Sequence, residues 1–146
     1  MFHSDTVYYR VYTKPLFSIK EINESIHREI NLERIKHGLD ILTWDNRIAK
    51  IALEKCLQMA KTDTTDHKGF TERVQHLRLI IFSISSCGEN VASHIRRKSI
   101  AKTVVKMWFN SEGHHKNILG DYNQTGIATY RTPSGKYFFT QIFVKA

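Results

Sequence analysis

Apolar residues recur at helical spacing over residues 19–35. Ile19, Ile22, Ile26, Ile30, Leu32 and Ile35 read as one side of a first amphipathic helix. Ser18 and Glu21 form a Ser-x-x-Glu capping box in front of it, and Gly38 stands where a helix is expected to stop. A second stripe, Ile48, Ile51, Ala52, Cys56, Met59 and Ala60, predicts a helix that begins at Thr43 or Asp45. The polar run KTDTTDHKG, residues 61–69, predicts a loop that carries His67. A weaker helix is expected after Thr71, through Val74, Leu77 and Leu79. Residues 80–84 are β-branched and apolar, which fits a strand or a buried extended piece. Ser99 is placed to cap a third strong helix, with Ile100, Val104, Met107 and Trp108 on one side and an end near Asn110.

Beyond residue 120 the period changes from near four to two. Residues 126–130 lead into the turn signal Thr132-Pro133-Ser134-Gly135, and residues 137–144 return. The two runs predict an antiparallel hairpin that is apolar on both faces and needs cover on both. Helices first and strands last define an α+β fold, with helices packed around an antiparallel sheet. Residues 1–17 precede the first helical periodicity and are expected to form a leader or linker outside a single domain over 18–146.

Composition changes this picture little. The 146 residues are 41% hydrophobic and 25% charged, the balance of one globular domain. No run approaches the roughly 18 apolar residues of a membrane span. The formal charge of +8 reads first as a solvated basic surface, and beyond that favours acidic partners: anionic glycans, a negative membrane surface or nucleic acid. The densest basic cluster, Arg96-Arg97-Lys98, is too short for a nucleic-acid address, and no recognition motif accompanies it, so nucleic acid is not an expected partner. The two cysteines, Cys56 and Cys87, fit either one bridge or two buried thiols.

Four places hold groups capable of chemistry: His67, Glu89, the pair Ser111-Glu112, and His114 with His115. Two neutral imidazoles and a carboxylate can hold a divalent cation, or act as general acid and base near neutral pH. Ser111 becomes a nucleophile only if a base reaches it. Trp108 reads as a core anchor, Gly113 as a sharp turn or close approach before His114, and Asn117 as a turn residue bonded to backbone. Eight histidines make chance convergence common, so His3, His27, His37, His76 and His94 read as surface or structural, and His115 with them.

The ordered set Asn31-Leu32-x-Arg34, Leu42-Thr43-Trp44-Asp45-x-Arg47-Ile48-Ala49, His67, Gly88-Glu89-Asn90-Val91-Ala92, Trp108-x-x-Ser111-x-Gly113-His114-x-x-Asn117-Ile118-Leu119, Gly126-Ile127-Ala128 and Tyr137-Phe138-Phe139-Thr140-Gln141-Ile142-Phe143 resembles the CAP superfamily (cysteine-rich secretory, antigen and pathogenesis-related proteins), in its bacterial, SCP-like form. The resemblance implies an α-β-α sandwich with a central antiparallel sheet. It implies a cavity lined by His67, Glu89, Ser111 and His114, with His67 and His114 as the ligands of zinc or another divalent cation that the fold does not require. Glu89, in a Gly-Glu-Asn turn, would orient a cavity histidine. Many eukaryotic members carry a second glutamate where Ser111 stands, and Glu112 is one place further on. The implied function is a secreted or surface-exposed monomer that binds lipid, sterol, anionic glycan or a host surface molecule, attached to a membrane peripherally or through a lipid anchor. The alternative is a metal-assisted hydrolase or protease using His67, His114 and Glu89.

Overall fold

The computed structural model describes residues 18–95 and 98–146. The expected leader over 1–17 and most of the basic cluster at 96–98 lie outside the described residues. The elements follow one another as α1 (Ile19–Lys36), β1 (Thr43–Trp44), α2 (Asn46–Thr62), α3 (Phe70–Ile80), β2 (Ser86–His94), α4 (Ile100–Phe109), α5 (Glu112–Ile118), β3 (Gln124–Arg131) and β4 (Tyr137–Lys145).

The four strands form one sheet in the order β1-β3-β4-β2. β4 lies antiparallel to both β2 and β3, whereas the two-residue β1 runs parallel to β3. The sheet is therefore mixed, not wholly antiparallel as expected. The parallel contact arises because Thr43 and Asp45 donate to the carbonyls of Asn123 and Thr125 before the chain enters α2, so Thr43 is strand and not helix.

Period two along β4 builds the sandwich. Tyr137, Phe139 and Phe143 face the layer made by α1, α4 and α5, with Ile26, Ile30, Val104 and Trp108. Phe138, Ile142 and Val144 face the layer made by α2 and α3, with Ile48, Ile51, Met59 and Leu77. Both faces of the hairpin are covered, as its apolar runs require.

The α1 capping box forms, with Glu21 N donating to Ser18 Oγ and Ser18 N to Glu21 Oε1. The buried stripe of α1 is Ile22, Ile26, Ile30 and Arg34; Leu32 and Ile35, expected on that side, are exposed. The guanidinium of Arg34 donates to four carbonyls, those of Asp40, Ile118, Gly120 and Tyr122. Residues 81–84 form no strand; Ile81 and Ile84 are buried in a bent connection while Phe82 points to solvent. Ser99 occupies the N-cap position of α4 in the left-handed region, φ 55°, and its side chain makes no cap bond. The two cysteines are unpaired. Cys56 Sγ donates to Thr140 Oγ1 and Ala128 O inside the α2 layer, and burial pushes its thiol up to about 12, which leaves it inert.

Asp45 caps α2: its carboxylate accepts from Arg47 N at 2.7 Å and pairs with the Arg47 guanidinium, which also donates to Ile80 O. Asp45→Ala is expected to cost about 1 kcal/mol in urea unfolding at neutral pH. The hydrogen bonds from Arg47 hold the Asp45 carboxyl below its ordinary range. A depressed folded pKa means that this contribution is complete above the unfolded value, near 4, and is lost as pH falls through the folded one. The gap between wild type and Asp45→Ala should therefore close in acid.

Candidate functional site at the edge of the sheet

β2 is an edge strand, so its successive side chains point into both layers beside an open margin. Glu89 points toward α2 and α3, and Asn90 toward α4 and α5. The Gly-Glu-Asn segment is thus strand and not a turn: Gly88, Glu89 and Asn90 pair with Phe143, Ile142 and Gln141 of β4. The backbone along this margin is capped by side chains. Trp108 Nε1 donates to Val91 O and Asn117 Nδ2 to Glu89 O, which blunts the edge against further strand pairing. Asn117 therefore reaches across to β2 and does not bond within its own turn.

Glu89 is buried and fully engaged. It accepts a fork from Arg73, Nε to Oε2 and Nη2 to Oε1, each at 2.7 Å. His67 Nδ1 lies 2.9 Å from the same Oε1. Since a carboxylate only accepts, the imidazole donates from Nδ1 and presents Nε2 outward. The ring is about half exposed.

The loop that carries His67 is fixed from below by two cations that the sequence reading did not single out. Lys55 Nζ, with a wholly buried side chain, donates to Asp66 Oδ1 at 2.8 Å and to Lys68 O at 3.0 Å, gripping the residues on either side of His67. Arg73 donates to Lys68 O and to His67 O. The polar loop over residues 63–69 is thereby tied to α2 and α3 by hydrogen bonds to Asp66, His67 and Lys68.

His114 comes from the other layer. Its carbonyl accepts from Asn90 Nδ2 at 3.1 Å, and its ring lies 6.5 Å from the Trp108 ring. Its Nδ1 is buried and has no hydrogen-bond partner among the described residues. Burial depresses the His114 pKa, and His67 lowers it further. Ser111 holds the N-cap position of α5 without a side-chain cap bond, and no hydrogen bond joins its hydroxyl to either imidazole among the described residues. Gly113 is an ordinary helical residue with open space where a β-carbon would stand, so the expected sharp turn is absent. Glu112 lies exposed in the first turn of α5.

His67, Glu89 and His114 do not gather three ligand atoms within 4.8 Å, the spacing reached among the described residues by Glu33, His37 and His115. A pair of imidazoles, one oriented by a carboxylate and the other carrying an orphaned buried nitrogen, nonetheless suits the donor chemistry of a divalent cation completed by water. Hollows among the described residues lie elsewhere. One of about 850 Å³ runs along α1 past Ile19, Asn23, His27 and Trp44, with Lys20 and Arg28 beside it. Another of about 460 Å³ separates α1 from the start of α4.

A mixed sheet between two helical layers, with His67, Glu89 and His114 at its edge, is the architecture of a CAP domain. The description of the cysteine-rich secretory protein family, CAP, matches residues 27–143, and the chain belongs to that family. It is 34% identical over 129 residues to the uncharacterised protein YkwD of Bacillus subtilis, covering 87% of this chain and 48% of that one. It is 30% identical over 133 residues to the uncharacterised membrane protein YlbC of the same species, covering 86% and 36%. The chain thus spans about half or less of the length of these curated relatives. Among solved structures, an outer surface protein of Borrelia burgdorferi superposes with a TM-score of 0.77 at 25% identity, over 88% of this chain and 96% of that one. An extracellular SCP-domain protein of Bacillus anthracis superposes with a TM-score of 0.73 at 26% identity, over 87% and 41%. No helix among the described residues is long and apolar enough to cross a membrane.

Proposed function

We propose that this domain is an extracellular binding module of the cell envelope and not a hydrolase. The observation that carries this reading is the state of Glu89. Both its oxygens are taken by Arg73 and His67 in a buried pair, so the acid of the site is a structural strut, not a free base. Among the described residues no nucleophile stands beside an imidazole with an orienting acid behind it, the arrangement covalent catalysis needs. His67 and His114 would hold a divalent cation, whose chemistry at such a site is to polarise a bound oxygen. The domain's own residues supply the frame: Glu89 sets the His67 tautomer, and Asn90 and Trp108 fix the backbone and ring position of His114.

The ligand class that fits the molecule best is a fatty acid or similar anionic lipid. The 850 Å³ hollow offers Ile19 and the Trp44 ring for an alkyl chain and the exposed cations Lys20 and Arg28 for a carboxylate. The formal charge of +8 favours the approach of anionic lipid and of anionic glycan alike. The relatives described as outer-surface and extracellular proteins support the compartment.

The chain has two tryptophans, Trp44 half-buried at this hollow and Trp108 fully buried in the core. A bromine-labelled fatty acid is expected to quench the emission of Trp44. In Trp44→Phe, where only Trp108 remains, quenching should vanish. Wild-type emission that stays constant through the titration would remove the lipid reading. A peptidase activity abolished by His67→Ala with His114→Ala would replace it with the hydrolytic one.

A further inference from the structure

We infer that Glu33, His37 and His115 form a second cation site, separate from the sheet edge, that takes a transition-metal ion of the zinc type. Glu33 and His37 stand one turn apart at the end of α1, where side chains four residues apart share a face. His115 approaches as the fourth residue of α5. Consecutive helical residues point about 100° apart, so His114 turns to β2 while His115 turns to α1. His115 Nε2 lies 2.8 Å from Glu33 Oε2, and His37 Nδ1 lies 3.9 Å from the same oxygen. One ligand atom from each of the three falls within 4.8 Å of the others. Metal–ligand bonds of roughly 2.0–2.2 Å put neighbouring donors of a tetrahedral ion about 3.4 Å apart. The observed separations bracket that spacing.

The surroundings suit a cation. The carboxylate is largely shielded, with 14% of its side chain exposed, while His37 and His115 are 42% and 30% exposed and leave an entry path and a coordination position open to solvent. The site lies at the C-terminal end of an 18-residue helix, where the backbone dipole is negative. The Phe109 ring, 5.8 Å from that of His115, walls one side with apolar surface, and the two imidazoles meet edge to face at 5.7 Å. A hydrogen bond from His115 to Glu33 would by itself tie α5 to α1. It does not call for a second imidazole at the same carboxylate, and that second ring completes a ligand set. Two nitrogens and one oxygen select zinc, nickel, copper or cobalt over magnesium or calcium.

In binding the metal, His37 gives up one contact. Its Nδ1 lies 3.0 Å from Glu33 O, but that carbonyl already accepts from the His37 backbone N–H and is not orphaned. Coordination through either ring nitrogen therefore leaves the helix end intact.

The test uses the whole chain carrying His67→Ala and His114→Ala, which removes the other imidazole pair. Zinc uptake is measured by equilibrium dialysis, and cobalt(II) absorption reports the ligand field. This protein is expected to keep one equivalent of zinc. Adding His37→Ala, at an exposed position, should weaken binding by at least the roughly 10–100-fold that loss of a mere outer partner costs. Glu33→Gln, which keeps side-chain size and a hydrogen-bond acceptor for His115, should do the same with an unchanged circular dichroism spectrum. Absence of zinc uptake in the His67→Ala, His114→Ala protein overturns the site. So does uptake that is equally tight with and without His37→Ala.

Discussion

Glu89→Ala is expected to destabilise the domain by about 3–5 kcal/mol, the cost of breaking a buried ion pair from one side. The Arg73 side chain is only 10% exposed and aims two nitrogens at this carboxylate. Without it the guanidinium keeps the carbonyls of His67 and Lys68 but has no counter-charge. His67 also loses the acceptor that sets its tautomer. Urea unfolding should show a lower midpoint with an unchanged slope. A double-mutant cycle with Arg73→Met separates the pair from the burial of each partner: the second substitution should recover part of the loss, because it removes the stranded charge. A Glu89→Ala protein as stable as wild type would show that the carboxylate is not a structural strut.

Gly126→Ala should be nearly as damaging. An added β-carbon would fall on the backbone of α2, 2.6 Å from Ala49 Cα and Ile48 C and closer still to Ala49 N. These are main-chain atoms and cannot rotate aside. The first turn of α2 is further pinned by the Asp45 cap and by Asp45 N donating to Thr125 O, the neighbour of Gly126. Either α2 lifts from the sheet, disturbing Ile48 and Ile51, or β3 bends away from β4. The expected loss lies at or above the upper end of the roughly 1–3 kcal/mol of ordinary overpacking, a fall of roughly 10 °C in Tm. A variant that melts with wild type would mean that the helix–strand contact is looser than these distances imply.

The helices and the hairpin were legible because their burial follows simple periods. Ile22, Ile26 and Ile30 recur every fourth residue, and odd and even positions of β4 divide cleanly between the two layers. His67, Glu89 and His114 were legible only through the family motifs, since no periodicity connects a loop, a strand and a short helix. The buried cations were missed although the pattern held a signal for them. Arg34 continues the stripe of Ile26 and Ile30, Lys55 stands between Ile51 and Met59, and Arg73 precedes Leu77 by four. A charge on the apolar line of a helix implies a partner inside the fold, and each of the three has one. Ser99 stands at the N-cap position as expected but in the left-handed region instead of the extended conformation of a capping residue, and its side chain makes no cap bond. His37 and His115 were set aside as structural because only the packing of α5 on α1 brings them to one carboxylate.

Arg34 bears on a matter that its carbonyl contacts alone do not raise. In a family named for its cysteines, this chain leaves both thiols unpaired and ties the return from α5 to β3 with one guanidinium spread over four oxygens. A cross-link made of hydrogen bonds cannot be opened by a reductant. The domain's architecture is therefore indifferent to the thiol–disulfide balance of its surroundings, and oxidative folding machinery has nothing to contribute to it.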